Sequence, residues 1–214
     1  MSSCRRGQRS RRIDWISQEK PDVFASYDYV LFLDDDIEIS AAEISEFFAL
    51  MRERGLDLAQ PALTRGSDGS FPLLFQERNS PSFRHINYVE IMMPALSKRA
   101  LAANRESFGQ GISGFGVDAL IGEKTRRLFG PNVAVIDAVA ARHERKIDLD
   151  EGPLYRFLAA KSINPGVEMW TILAENNIEH GVKELKFKGL GITLCERWKF
   201  RLAGPLRHRY FRRR

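Results

Sequence analysis

Three consecutive carboxylates, Asp34, Asp35 and Asp36, follow an apolar run in "YDYVLFLDDDIEIS" (27–40). Adjacent negative charges repel, so the stretch needs either solvent or a cation to offset the cost. If the backbone stays extended through them, Asp34 and Asp36 face one way and Asp35 the other. Two converging carboxylates suit a hard divalent cation, Mn2+ or Mg2+, which takes oxygen ligands and bridges to phosphates. The alternative is a solvated turn with acids near a helix start, although one or two acids would serve a helix dipole.

Other residues able to do chemistry lie further along. Asp118 ends "FGQGISGFGVD" (108–118), where four glycines mark unusual torsions or a close approach. A carboxylate in that setting can meet an incoming hydroxyl as a general base, or it can cap the helix that follows. His143 comes after "VAVID" and reads as a ligand, a structural residue or an exposed one. Arg142 and Arg145 beside it would neutralise a diphosphate leaving group or serve as surface charge. Glu90 interrupts the apolar "YVEIMMP", as an acceptor contact or a buried, paired carboxylate.

The elements that must position these residues alternate in type. Tyr29 to Leu33 reads as a buried strand. Ser40 and Glu43 form a capping box, with Ile44, Phe47, Phe48 and Met51 at helical spacing behind it and Gly55 as a stop. "LDLAQPAL" (56–63) reads as a strand that Pro61 pushes toward an edge. "TRGSDGS" (64–70) is a polar loop. "NYVEIMMPALS" (87–97) is strand-like, with a short helix through "KRALAANRE" after it. Asp118 opens a helix through "ALIGEKTRRLF", and "NVAVID" (132–137) is expected to be the final strand. From 149 onward helical patterns dominate, around "LYRFLAAK", "EMWTILAEN" and "CERWKFRL". This order predicts an α/β fold with a mostly parallel sheet flanked by helices and a helical C-terminal extension. The expected divisions are a basic tail over 1–17, a core over 18–148 and a helical region with a basic tail over 149–214.

The net charge of +5 conceals an acidic body between basic ends. Residues 1–12 and 197–214 hold 13 of the 33 Lys+Arg and no acid, leaving 20 cations against 28 Asp+Glu between them. Such ends suit anionic partners, an anionic membrane surface at the C-terminal end above all, or they are solvated tails. Aromatic residues do not interleave repeatedly along either end, which argues against nucleic acid. Two cysteines, Cys4 and Cys195, make no disulfide framework, and a reducing cytoplasmic setting, peripheral to the inner face of a membrane, is the expectation.

The run "YDYVLFLDDDIEIS" resembles the D-x-D segment of GT-A type glycosyltransferases. More narrowly, it is similar to a plant and bacterial glycosyltransferase-like domain family. "LDLAQPAL", "NYVEIMMPALSKRAL" and "GFGVDALIG" with "VAVIDAVAARH" follow in the order that resemblance implies, over roughly 20–147. It implies a Rossmann-like GT-A fold and transfer of a sugar from a nucleotide-sugar donor to a saccharide or other hydroxyl acceptor. A divalent metal would bridge the donor's diphosphate. Position by position, Asp36 would bind the metal, Asp34 would assist it or contact the donor ribose, and His143 would complete it. Asp118 would take the acceptor's proton, and Glu90, Gly116 and Arg142 would contact substrate. GT-A folds devote strand–helix–strand units to the nucleobase ahead of the D-x-D strand. Only 33 residues precede Asp34 here, so the resemblance implies a truncated nucleotide pocket and an exposed sheet edge.

Two rivals use the same residues differently. In a haloacid dehalogenase-type phosphatase an apolar strand ends D-x-D-x-[TV]. "LFLDDDI" matches as far as Ile37, but Glu38 stands where Thr or Val is expected, and Asp137 is not followed by a second acid. In a non-enzymatic protein the basic ends would bind nucleic acid or membrane, with the middle as a scaffold.

Overall fold

A computed structural model describes residues 9–77, 79–80, 82–145, 152–188 and 191–195. In chain order the helices are α1 (Arg9–Glu19), α2 (Pro21–Ala25), α3 (Ala41–Glu53), α4 (Lys98–Asn104), α5 (Val117–Phe129), α6 (Pro153–Ala160) and α7 (Pro165–Glu175). The strands are β1 (Tyr29–Leu31), β2 (Ile37–Glu38), β3 (Leu58–Leu63), β4 (Arg84–His85), β5 (Ala95–Ser97), β6 (Val133–His143), β7 (Glu184–Lys188) and β8 (Gly191–Cys195).

The capping box forms as its spacing requires. Ser40 Oγ accepts the Glu43 N–H, and Glu43 Oε2 accepts the Ser40 N–H at 2.8 Å, satisfying two donors that the first turn of α3 leaves open. Phe47 and Met51 then bury completely against Ala59, Ala134 and Ile136. On the other face of the sheet, Leu58, Val133 and Val135 pack with Ala100, Leu101, Leu120, Ile121 and Ile172. Successive residues of β6 thus serve opposite faces, as strand geometry dictates, and the sheet carries helices on both sides.

The sheet is mixed, in the order β1-β5-β3-β6-β2, with β4 also on β6. Only β3 and β6 pair parallel; β1 with β5, β5 with β3, β2 with β6 and β4 with β6 are antiparallel. The mostly parallel sheet is therefore corrected. The alternation did identify strands that run the same way, since β1, β3 and β6 share one direction. The oppositely running β5 inserts between β1 and β3 and turns two parallel neighbours into antiparallel ones.

Four local expectations also change. Pro61 lies in a strand between two neighbours rather than at an edge. It is tolerated because β5 pairs only with Leu58 and Ala59, and the β3–β6 register shifts between Pro61 and Ala62. Residues 87–94 are not a strand: β5 is confined to Ala95–Ser97, and the preceding apolar run is irregular chain buried from Tyr88 to Glu90. β6 is not the last strand, because β7 and β8 form a hairpin. Its β7 lies beside β4 through a bridge between Ile86 and Glu184. Finally, the division at residue 17 falls inside α1, whose Ile13 is 5% exposed and belongs to the core. The helices around "LYRFLAAK" and "EMWTILAEN" are present as α6 and α7; "CERWKFRL" and the basic C-terminal end lie outside the described residues. Among the described residues no helix is long and apolar enough to cross a membrane.

Candidate functional site

Because β1, β3 and β6 run together, their carboxyl ends share one rim of the sheet, where open α/β sheets place their ligands. Asp34–Asp36 follow β1, the loop 64–70 follows β3, and His143 ends β6. The irregular segment bearing Tyr88 and Glu90 enters the same rim ahead of the oppositely running β5. Asp118 stands in the first turn of α5, the helix that leads back to β6.

The chain turns after Asp34, whose carbonyl accepts the Ile37 N–H at 3.3 Å. The turn sends Asp35 out, its side chain 85% exposed, and Asp36 in, at 9%. The extended backbone expected through these acids is absent, and it is the turn that separates Asp35 from Asp36. Pairing of Ile37 with His143, and the Glu144 N–H on the Asp36 carbonyl, set the two side chains together: Asp36 Oδ2 lies 3.3 Å from His143 Nε2.

The imidazole is held from its far side. Its Nδ1 lies 2.9 Å from the Asp68 carbonyl, which can only accept, so Nδ1 carries the proton in that bond. The His143 amide donates to Ser67 Oγ at 3.1 Å, and Ser67 Oγ is 2.9 Å from Thr64 Oγ1. A neutral imidazole in this tautomer aims its Nε2 lone pair at a carboxylate oxygen. Two acceptors in such contact need a cation between or beside them: a proton on Nε2 or a metal ion. Asp36 Oδ1, also buried, has no hydrogen-bond partner among the described residues. A histidine whose other nitrogen donates to a backbone carbonyl is the usual arrangement of a metal ligand. Asp36 and His143 thus fit a divalent cation. Among the described residues no three His, Cys, Asp or Glu are grouped to hold a metal, so any further donors would come from solvent or substrate.

The second half of the site is a group of buried acids. Glu90 is 5% exposed; its amide donates to the buried Gln60 Oε1 at 2.7 Å, and its Oε1 accepts the Ser70 N–H at 2.8 Å. Its Oε2 has no hydrogen-bond partner among the described residues. Burial pushes the Glu90 carboxyl up; the Ser70 hydrogen bonds oppose this, the Asp118 charge adds to it and His143 works against it. Asp118 is partly exposed and pushed up to about 6, chiefly by desolvation, against the hydrogen bonds it accepts from Tyr88 and the Ala119 amide. A carboxyl in that range is suited to exchange a proton near neutral pH.

The structure thus brings Asp36 and His143 into contact, and Glu90 close enough to feel both Asp118 and His143. Asp34 stands at the start of the turn, its amide on the Met92 carbonyl at 3.0 Å. Gly116 caps α5 at φ 88°, where a Cβ would meet Met169 Cα of α7 at 3.2 Å; its glycine serves both the left-handed turn and this approach. Arg142 does not join the group. One residue along β6 from His143, it faces solvent and lies 3.9 Å from Glu38, and Arg145 lies 3.6 Å from the exposed Asp35. Asp137 is held by Arg84 through two hydrogen bonds, 2.7 and 2.9 Å, away from any cation role. Sequence reasoning missed Tyr88 and the part of loop 64–70 that grips His143 and Glu90. An aromatic within an apolar run reads as core, and a polar loop gives no sign of what its carbonyls meet.

Residues 15–85 match a family model described as a protein of unknown function, DUF707. The match covers about a third of the chain and includes Asp34–Asp36 but not Glu90, Asp118 or His143. No curated protein matches. Among solved structures, A197 from STIV is similar at 14% identity, covering 66% of this chain and 70% of its own, with a TM-score of 0.42.

Proposed function

We propose that the chain is a metal-dependent glycosyltransferase-like protein of GT-A type, acting on a nucleotide-sugar donor and a saccharide or other hydroxyl acceptor. The observation that carries the reading is the buried Asp36 carboxylate 3.3 Å from Nε2 of a histidine whose Nδ1 is anchored on the Asp68 carbonyl. The shared rim of β1, β3 and β6 adds support, as does a carboxyl poised near neutrality at the start of α5. Asp36 and His143, assisted by Asp34, would hold Mn2+ or Mg2+, which would supply charge neutralisation for a diphosphate leaving group. Asp118 accepts the proton of the acceptor hydroxyl through its partly exposed carboxylate. Glu90 lines the acceptor side from within. Arg145, on the rim beside Asp35, supplies the guanidinium expected near an anionic donor, in place of Arg142.

β1 forms the outer edge of the sheet among the described residues. A cytoplasmic setting against an anionic membrane surface completes the reading.

Isothermal titration of the full chain tests it, first with Mn2+ alone and then with UDP, GDP and ADP, each with Mn2+ or with EDTA. The expected result is diphosphate binding that requires Mn2+ and disappears in Asp36→Asn and His143→Gln. Diphosphate binding that ignores EDTA, or none with Mn2+ present, would refute the reading.

A further inference from the structure

The carboxylate of Asp118 is held at both oxygens. Its Oδ1 accepts the Ala119 N–H at 2.9 Å and its Oδ2 accepts the hydroxyl of Tyr88. Tyr88 is 7% exposed, and its ring is fixed edge-on against Phe71, with centroids 4.9 Å apart at 70°. Phe71 directly follows the loop whose Ser70 amide binds Glu90 and whose Asp68 carbonyl holds His143. The phenol therefore reaches Asp118 from a wall that the rest of the site also uses.

A phenol donating to a carboxylate favours its ionised form and sets the plane of the group, leaving the remaining lone pairs to meet another proton. The phenol keeps its own proton, because burial and then the Asp118 charge push Tyr88 well above its ordinary range. The titratable groups acting on this pair are Glu90 and the two partners themselves. We propose that Tyr88 is a positioning residue, whose hydroxyl holds the Asp118 carboxylate ionised and oriented to accept a proton from a hydroxyl. The purpose rests on the transferase reading above, whereas the coupling is a property of the fold.

The test is a 13C NMR titration of the aspartate side chains in the full chain, with the Asp118 signal assigned by its loss in Asp118→Asn. Tyr88→Phe keeps the ring and removes only the donor. Its Asp118 midpoint is expected to rise by about one pH unit, the size of one lost hydrogen bond to a charged group. A second arm reads the partner: in Asp118→Asn the Tyr88 phenol, followed by ultraviolet difference against the wild type, titrates at lower pH. This arm decides the matter alone if Tyr88→Phe does not fold. An Asp118 midpoint unmoved by Tyr88→Phe, or a phenol unmoved by Asp118→Asn, overturns the proposal. Shifted midpoints without Mn2+-dependent diphosphate binding overturn the transferase reading instead and leave the Tyr88–Asp118 coupling standing.

Discussion

Replacing Asp36 with Asn should change stability in opposite directions with and without metal. In EDTA the wild type places a buried carboxylate oxygen 3.3 Å from His143 Nε2 while Nδ1–H is committed to Asp68. Asparagine puts an N–H donor where an acceptor faced an acceptor, and it removes the charge carried by the unpartnered Oδ1. One such hydrogen bond is worth about 1 kcal/mol, which for a chain of this size raises the melting temperature by about 2–4 °C. With Mn2+ at 100 times its dissociation constant, the wild type gains about 2.7 kcal/mol by mass action, or roughly 5–10 °C. The variant, lacking the carboxylate, gains little, so the order of the two melting curves inverts. Differential scanning calorimetry in EDTA and across a Mn2+ series reads both effects. An Asp36→Asn protein that melts several degrees lower in EDTA would show a charge-paired histidine in place of the facing acceptors. An equal Mn2+ response in both proteins would remove Asp36 from the cation site.

Two further outcomes follow from the buried acids. Asp118 is raised to about 6, so the native carboxyl binds its proton more tightly than the unfolded chain does. That costs stability progressively as pH rises from about 4 to about 6, by about 3 kcal/mol once complete. Asp118→Asn escapes this cost, so urea denaturation should show its advantage absent near pH 4 and full above pH 6.5; a pH-independent difference would contradict the assigned burial effect. Asp137→Ala strands the Arg84 guanidinium, which is 5% exposed and donates two hydrogen bonds to that carboxylate. Its cost should be about 3–5 kcal/mol in urea. Mn2+ binding should be unaffected, and a change in metal affinity would argue for the phosphatase-like use of Asp137.

Much of the local structure could be read because its causes are local. Ser40 and Glu43 are three residues apart, and nothing beyond the first turn of α3 is needed for each to satisfy the other's amide. The inward Asp36 and outward Asp35 are set by the turn that closes with the Ile37 N–H on the Asp34 carbonyl, not by strand alternation. What failed to be legible depends on neighbours. An apolar run such as 87–94 has no periodicity to separate a strand from a buried irregular segment, and the hairpin of β7 and β8 falls where helical patterns were expected to dominate. The insertion of β5 could not be foreseen either, because direction within a sheet depends on which strands become adjacent.

By itself, the amino-acid order determined the helices α3 to α7, the strands around β1, β3 and β6, and which acids and histidine stood at their ends. Tertiary structure alone decided that Asp36 would meet His143 across 107 residues of chain, that Asp68 would hold the imidazole by its carbonyl, and that Tyr88 would donate to Asp118. Arg142 was turned away by the same means, its face of β6 chosen by the register with β2. The physical reason is one of range. Torsions, caps and side-chain periodicity act within a few residues, whereas a proton's affinity or a lone pair's direction depends on groups that only packing brings within hydrogen-bond distance.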